Sequence, residues 1–452
     1  MTQRYKQYLT PGDFLKNGIL TIIPRIFAGN NCIRGFTSGN KRRKMETEKF
    51  SGEELCFMAL LTEQDKKYTT PEDICAHVGD DYAAFNGAIV PPIYQNSLFV
   101  QPTEVNGVAG GYVYTRMANP TIEIAERKIA ALEGGDGALC FSAGMGAISC
   151  AILHFVRAGS HIVLVGTAYG PTMRFIREYL GPKFGVTHTL VMGSDVKEIA
   201  DAIRPETSLI YLESPSSCVF IMQDLEAIAA MAREKGIATC IDNSYATPLH
   251  QQPLKHGIDV VVHTASKYLG GHSDIVAGAL AARREIIEGI QYGERELLGS
   301  VMDPHQAWLL IRGIRTMPVR LRQHEASARQ VAAHLEKHPK IRRLYYPGSE
   351  SYAQPELYAR YLSGGNGLMS FTTYGSEAQA EQFVNNLHLF QRGCSWGGFE
   401  SLVIRLGGSE EAERYGMPRN LIRIHVGLEN ADTLIADLDA ALAAMPDAEG
   451  KY

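Results

Sequence analysis

The sequence predicts an α/β fold: a mostly parallel sheet in a large domain, followed by a smaller C-terminal α/β domain. Two observations carry this. From residue 119 to about 270, short apolar runs alternate with helical segments, the pattern of crossover units. Those runs are apolar throughout rather than at every second residue, so they belong to strands covered on both faces. After Asp303 the pattern changes to a long helix and then separate strand–helix pairs. The chain's 452 residues suffice for two or three domains' worth of core. The expected divisions are an N-terminal extension (1–65), a loop-rich arm (66–118), a large domain (119–310) and a small domain (311–452).

The elements follow in order. Asn119-Pro120 opens a helix, with Asn as N-cap and Pro in the first turn; apolar residues run through Leu132 and Gly134 stops it. Phe141-Ser-Ala-Gly-Met-Gly146 leads into an apolar helix, Ala147 to Phe155. Strands are expected at 161–165, 208–212, 236–241 and 259–263, with a helix from Asp224 to Lys235 closed by Gly236. A helical region from about Pro304 to His338 is expected to break near Met317-Pro318. Strands at 368–374 and 421–426 are each followed by a helix, at 377–387 and 433–445.

Composition excludes several function classes. Hydrophobic residues make up 45% and charged residues 21%, the balance of an ordinary soluble enzyme. A net charge of −5 gives no support for nucleic-acid binding. No apolar run reaches membrane-span length. None of the eight cysteines forms CxxC or sits at metal-ligand spacing with His, so buried free thiols, a reducing cytoplasmic compartment and no metal are expected. Residues 1–44 carry nine Lys or Arg and one acid. That is weakly like an organelle transit peptide; a disordered extension, or a true start at Met45 or Met58, is the plainer expectation.

In open α/β sheets, ligands sit beyond the carboxyl ends of the strands. Four such ends supply polar or aromatic groups here: Gly166-Thr-Ala-Tyr169, Glu213-Ser-Pro-Ser-Ser217, Asp242-Asn243 and Thr264-Ala-Ser-Lys267. A lysine ending a buried strand is costly unless paired or covalently engaged. Lys267 together with Asp242 is what pyridoxal phosphate (PLP) requires: an amine to trap the aldehyde and a carboxylate for the ring nitrogen. The small residues at 142–146 free backbone N–H groups at a helix start, where a phosphate is favoured.

At this spacing the residues resemble the Cys/Met-metabolism family of PLP enzymes, the cystathionine γ-synthases, cystathionine lyases and methionine γ-lyases. The resemblance spans roughly residues 70–446. It implies the PLP-dependent transferase fold of type I (aminotransferase-like) and a homotetramer built of two catalytic dimers. Tyr114 and Arg116 look like the family's phosphate clamp, reaching into the neighbouring subunit. Gly144 and Met145 look like its phosphate loop, and Asp242 and Ser266-Lys267 like its ring partner and covalent site. Ser395-Trp396 and Arg423 look like its substrate-side motifs.

The roles implied are physical ones. Lys267 binds the cofactor covalently and moves protons. Asp242 favours the protonated ring, and Tyr169 stacks on it and assists proton transfer. Thr264 and Ser266 offer hydroxyls to the phosphate, and Arg116 a bidentate fork. Arg423 suits the substrate carboxylate, with Tyr114, Ser395 and Trp396 beside it. Many γ-acting relatives carry Thr-Asn-Pro where this chain has Ser216-Ser217-Cys218, and Leu where it has Trp396. Both differences look like bacterial cystathionine β-lyases; Asn119-Pro120-Thr121 is commoner among γ-acting members. The expected activity is α,β-elimination from a cystathionine-like amino-acid thioether. A γ-acting relative is the second reading, and a non-catalytic PLP-fold binding protein the remote third.

Overall fold

The apolar runs assemble into a seven-stranded sheet. Its strands are β1 (Gly137–Phe141), β2 (His161–Val165), β3 (Thr187–Val191), β4 (Thr207–Glu213), β5 (Ala238–Asp242), β6 (Val260–His263) and β7 (Gly278–Ala282). They lie in the order β1-β7-β6-β5-β4-β2-β3. β6, β5, β4, β2 and β3 pair in parallel, and β7 runs antiparallel between β6 and β1. β1 therefore points the same way as the parallel strands, and the carboxyl ends of all six strands β1 to β6 share one rim. Every residue of β1, β2, β6 and β7 is buried, as a sheet covered on both faces requires. The computed structural model describes residues 60–100 and 112–446, and these belong to one compact unit. Most of the expected N-terminal extension, with Cys32 and Cys56, lies outside the described residues. Its last residues pack against the fold. Asp65 is buried, accepting the Gly79 N–H at 2.9 Å and the Arg127 Nε–H at 2.9 Å.

A second sheet holds β8 (Ile341–Tyr345), β9 (Leu368–Thr373), β10 (Gln391–Arg392), β11 (Leu402–Leu406) and β12 (Leu421–His425), in the order β10-β11-β12-β9-β8. It is antiparallel except for β10–β11. Its own core gathers Met369, Phe371, Phe383, Ile422, Ile424 and Leu434.

The helix Pro120–Glu133 forms as its caps predict. The Asn119 side chain accepts the Thr121 N–H, and Gly134 closes the helix at φ +72°. One expectation fails. The helix Pro304–Lys337 runs unbroken for 34 residues through Pro318. Proline there removes one N–H and crowds the preceding turn, at a cost of roughly 3 kcal/mol. Packing outweighs that cost, because Ile314, Met317 and Leu321 are buried in the core of the first sheet and Ala328, Val331 and Leu335 in that of the second. Among the described residues no helix is long and apolar enough to cross a membrane. The thiols of Cys75, Cys140, Cys150 and Cys240 are buried and free, while Cys218 is half-buried and Cys394 exposed.

Candidate active site

The shared rim gathers most of the residues expected there. β6 ends at His263, and the chain turns at once: the Lys267 N–H bonds to the Thr264 carbonyl at 3.1 Å and the Gly271 N–H to the Lys267 carbonyl at 2.7 Å. The turn holds Lys267 half-buried, its Nζ 2.6 Å from Ser395 Oγ and 5.3 Å from the centre of the Trp396 ring. Burial, and next the Arg423 charge, lower the Lys267 pKa to about 8.

The Ser395–Gly398 loop belongs to the second sheet's half and lies directly on the lysine turn. Its closeness depends on Gly397. A side chain there would meet the Tyr268 nitrogen at 2.6 Å, and the backbone holds φ +84°. The Gly397 N–H donates to His425 Nε2 at 3.1 Å. Trp396 is buried against Tyr268, ring centres 5.5 Å apart.

Asp242 and Glu213 end adjacent parallel strands directly opposite one another. Both are buried. Asp242 Oδ1 accepts the Ser244 N–H at 2.9 Å, the short turn that Asp-x-Ser favours. Burial raises the pKa of both carboxyls; the neighbouring Asp242 adds to that of Glu213, which reaches about 7. Glu213 also accepts the Tyr169 N–H at 2.7 Å and the Ser217 N–H at 2.8 Å. Tyr169 stands exposed at the rim, its phenol pKa raised by burial and by Cys394.

Arg423, on β12, is buried and donates from Nη1 to the Ser217 carbonyl at 3.2 Å and from Nη2 to the Cys394 carbonyl at 2.7 Å. Two of its five N–H donors are thereby engaged.

At the end of β1 the backbone turns into the helix Gly144–Phe155. Among the described residues the N–H groups of Gly144 and Met145 have no acceptor, so the helix start is open to an anion. Gly144 is required: a Cβ there would meet Thr264 Oγ1 at 2.6 Å. Thr264 faces this helix start. Ser266 is spent differently from expectation. Its hydroxyl donates to the Ala277 carbonyl at 3.2 Å and accepts the Ala277 N–H at 2.8 Å, bracing the link between β6 and β7.

These groups fit PLP. An open helix start with a cradle too tight for any Cβ suits the phosphate; a buried carboxylate suits the ring nitrogen; an amine of lowered basicity suits the aldehyde. Tyr114 and Arg116 are not among the gathered groups. Arg116 donates to the Glu296 carbonyl at 3.0 Å and lies over the Tyr114 ring at 5.5 Å. None of their hydrogen bonds, ion pairs or ring contacts within the described chain reaches Lys267, Asp242, Tyr169, Ser395 or Arg423. Sequence reasoning also passed over Ser244 and gave Glu213 no task. The Asp-x-Ser turn signals the first; nothing local signals the second.

Comparison with known proteins identifies a PLP-dependent family. The family described as "Cys/Met metabolism PLP-dependent enzyme" matches residues 72–443. An L-methionine γ-lyase of Pseudomonas deceptionensis is 38% identical over 82% of this chain and 96% of its own length. The cystathionine β-lyase MetC of Bacillus subtilis is 36% identical over 79% of this chain and 92% of its own. The crystal structure of metB from Corynebacterium glutamicum superposes with a TM-score of 0.79 at 33% identity, covering 83% of this chain and 98% of that one.

Proposed function

The chain belongs to the Cys/Met-metabolism family of PLP-dependent enzymes, and from that premise we propose that it is a carbon–sulfur lyase acting by α,β-elimination on cystathionine or a related cysteine thioether. The observation that carries the β reading is the buried Trp396 indole packed beside Lys267. γ-Elimination needs a second proton taken from Cβ, and hence a further base position and more room near the lysine. A tryptophan in that neighbourhood narrows the room.

When bound, PLP supplies an aldehyde to hold the substrate's amino group and a ring that withdraws electrons from Cα. The chain's residues do the rest. The Gly144 and Met145 N–H groups and the Thr264 hydroxyl would hold the phosphate, and Asp242 would favour the protonated ring nitrogen. Arg423 binds the substrate carboxylate with its remaining donors. Lys267, as the neutral amine its lowered pKa permits, takes the Cα proton. The Cα–H electron pair forms the Cα=Cβ bond, and the Cβ–S pair leaves with sulfur. Lys267 or the Tyr169 phenol returns a proton to that sulfur, giving homocysteine from cystathionine. The 2-aminoacrylate released adds water to become pyruvate and ammonia. Ser395 holds the Lys267 amine between transfers.

A second reading is favoured by Asn119-Pro120-Thr121 and by the γ-lyase named among the relatives: γ-elimination to cysteine and 2-oxobutanoate. The keto acid released from cystathionine decides. Pyruvate is expected; dominant 2-oxobutanoate would overturn the β assignment and leave the PLP family intact.

A further inference from the structure

The lyase steps above use nothing on β4, yet the Glu213 carboxyl at its end accepts from two separate loops. It ends β4 only 3% exposed. Oε2 accepts the Tyr169 N–H at 2.7 Å and Oε1 accepts the Ser217 N–H at 2.8 Å. The donors lie on separate loops, after β2 and after β4. Ser217 in turn presents its carbonyl to Arg423 Nη1 at 3.2 Å, on the second sheet. One carboxylate thus ties together both loops and the arginine.

We propose that Glu213 is a positioning residue for carbon–sulfur cleavage: a two-oxygen bracket that holds Tyr169 and Arg423 in one frame, so that a bound amino acid meets both together. The proposal rests on the lyase reading, in which Tyr169 faces the cofactor and Arg423 takes the substrate carboxylate. The bracket explains why the position holds glutamate. A carboxylate accepts at both oxygens. Glutamine has the same length but one acceptor, and its NH2 would face a backbone N–H, donor against donor, leaving that half-buried N–H unpaired. Aspartate, one methylene shorter, loses the reach to span both loops. Distances of 2.7 and 2.8 Å mark well-formed N–H···O bonds to both oxygens.

The test compares Glu213→Gln with the unaltered enzyme. Cofactor content and thermal midpoint report folding. Hydrogen exchange of the Tyr169 and Ser217 amides in the apoprotein reports the bracket with no chemistry involved. KM and kcat for cystathionine, with the circular dichroism of the bound cofactor's visible band, report what the bracket positions. Expected are exchange about 10-fold faster at one or both amides, a kcat/KM lower by about 10- to 100-fold with a raised KM, and altered dichroism at retained cofactor content. Combined with Arg423→Lys, Glu213→Gln is expected to raise KM little further, because both act on one contact. Unchanged exchange, a kcat/KM within about twofold, or fully additive effects with Arg423→Lys would overturn the proposal. If the Gln variant does not fold, Glu213→Asp takes its place; it is expected to fall short in the same measurements, and wild-type behaviour overturns the bracket. An unaltered enzyme that releases no keto acid from cystathionine sinks the lyase reading alone, and amide exchange and dichroism then decide the bracket.

Discussion

Lys267 has to be an amine that is neutral often enough to attack a carbonyl and take a proton, at a pH where an ordinary lysine is almost fully charged. Burial does most of this and the nearby Arg423 charge adds to it, so the amine titrates at about 8. Covalent capture of PLP by the apoprotein is therefore expected to speed up about 10-fold per pH unit up to about pH 8 and level off above it. Stopped-flow absorbance measures this; a rate still climbing to pH 10 would mean an amine of ordinary basicity. Lys267→Ala should abolish turnover and the borohydride-fixed adduct, and an adduct surviving on another lysine would displace the assignment. Glu213 carries the opposite pH signature. Burial, with Asp242 opposite, raises its pKa from 4.5 to about 7. Between those values the folded apoprotein keeps a proton that the unfolded chain has released, so stability falls as pH rises through the window. Asp242, itself raised by burial, titrates with it. Urea unfolding of the apoprotein at pH 5 and pH 7 should show that fall, and Glu213→Gln should flatten it. An equal slope in the variant would assign the effect elsewhere. Lys267 and Asp242 were legible in the sequence because a charged residue at the end of an apolar strand is costly without a purpose. The bonds of Glu213 were not, since its partners are backbone N–H groups on loops that only the fold brings together.

Among the elements, the Ser395–Gly398 loop is the most exacting. It lies on the lysine turn with room for hydrogen alone at Gly397, and it takes a positive φ there. Gly397→Ala must strain that φ, by about 1–2 kcal/mol, and also push the loop off the Tyr268 nitrogen. The shift falls on Ser395 and Trp396. The expected result is a kcat lower by about 100-fold or more with PLP still bound, because the loop carries none of the groups assigned to the phosphate. Retained kcat in this variant would mean that the loop does not orient Lys267. The same local logic shows what sequence reading reaches. Helix ends were legible where chemistry marks them, as at Asn119 and Gly134. The stop expected at Pro318 failed because burial on two cores outweighs one lost hydrogen bond. β1 and β7 were missed because Gly137-Ala-Leu-Cys-Phe and Gly278-Ala-Leu-Ala-Ala lack the β-branched signature. Small residues serve there because the backbones crowd: a Cβ on Gly278 would meet the Ala143 carbonyl at 2.2 Å.

At the scale of the molecule, the arm before the first sheet sets the remaining problem. Ile89 is 73% exposed, Leu98 66% and Val100 97%. Single exposed apolar residues are ordinary, but several in one segment mark a contact surface. Tyr114 and Arg116 follow in the same arm, and Arg116 binds Glu296 of its own chain rather than any group near Lys267. The phosphate site at Gly144 thus draws no guanidinium from Arg116 of its own chain. From both facts we propose that the arm serves the site of a second copy, each catalytic centre taking Lys267 from one chain and Arg116 from another. The sequence alone placed Tyr114 and Arg116 in the clamp by resemblance, but spacing cannot say which chain's cofactor they serve. Complementation can. Arg116→Ala and Lys267→Ala chains should each be nearly inactive. Denatured together in equal amounts and refolded, half of the resulting dimers are hybrids, and each hybrid holds one centre with both residues intact. Recovery should therefore approach about a quarter of wild-type activity for a two-fold dimer. Hybrids shown by mass to form, yet inactive, would place Arg116 with its own chain's centre.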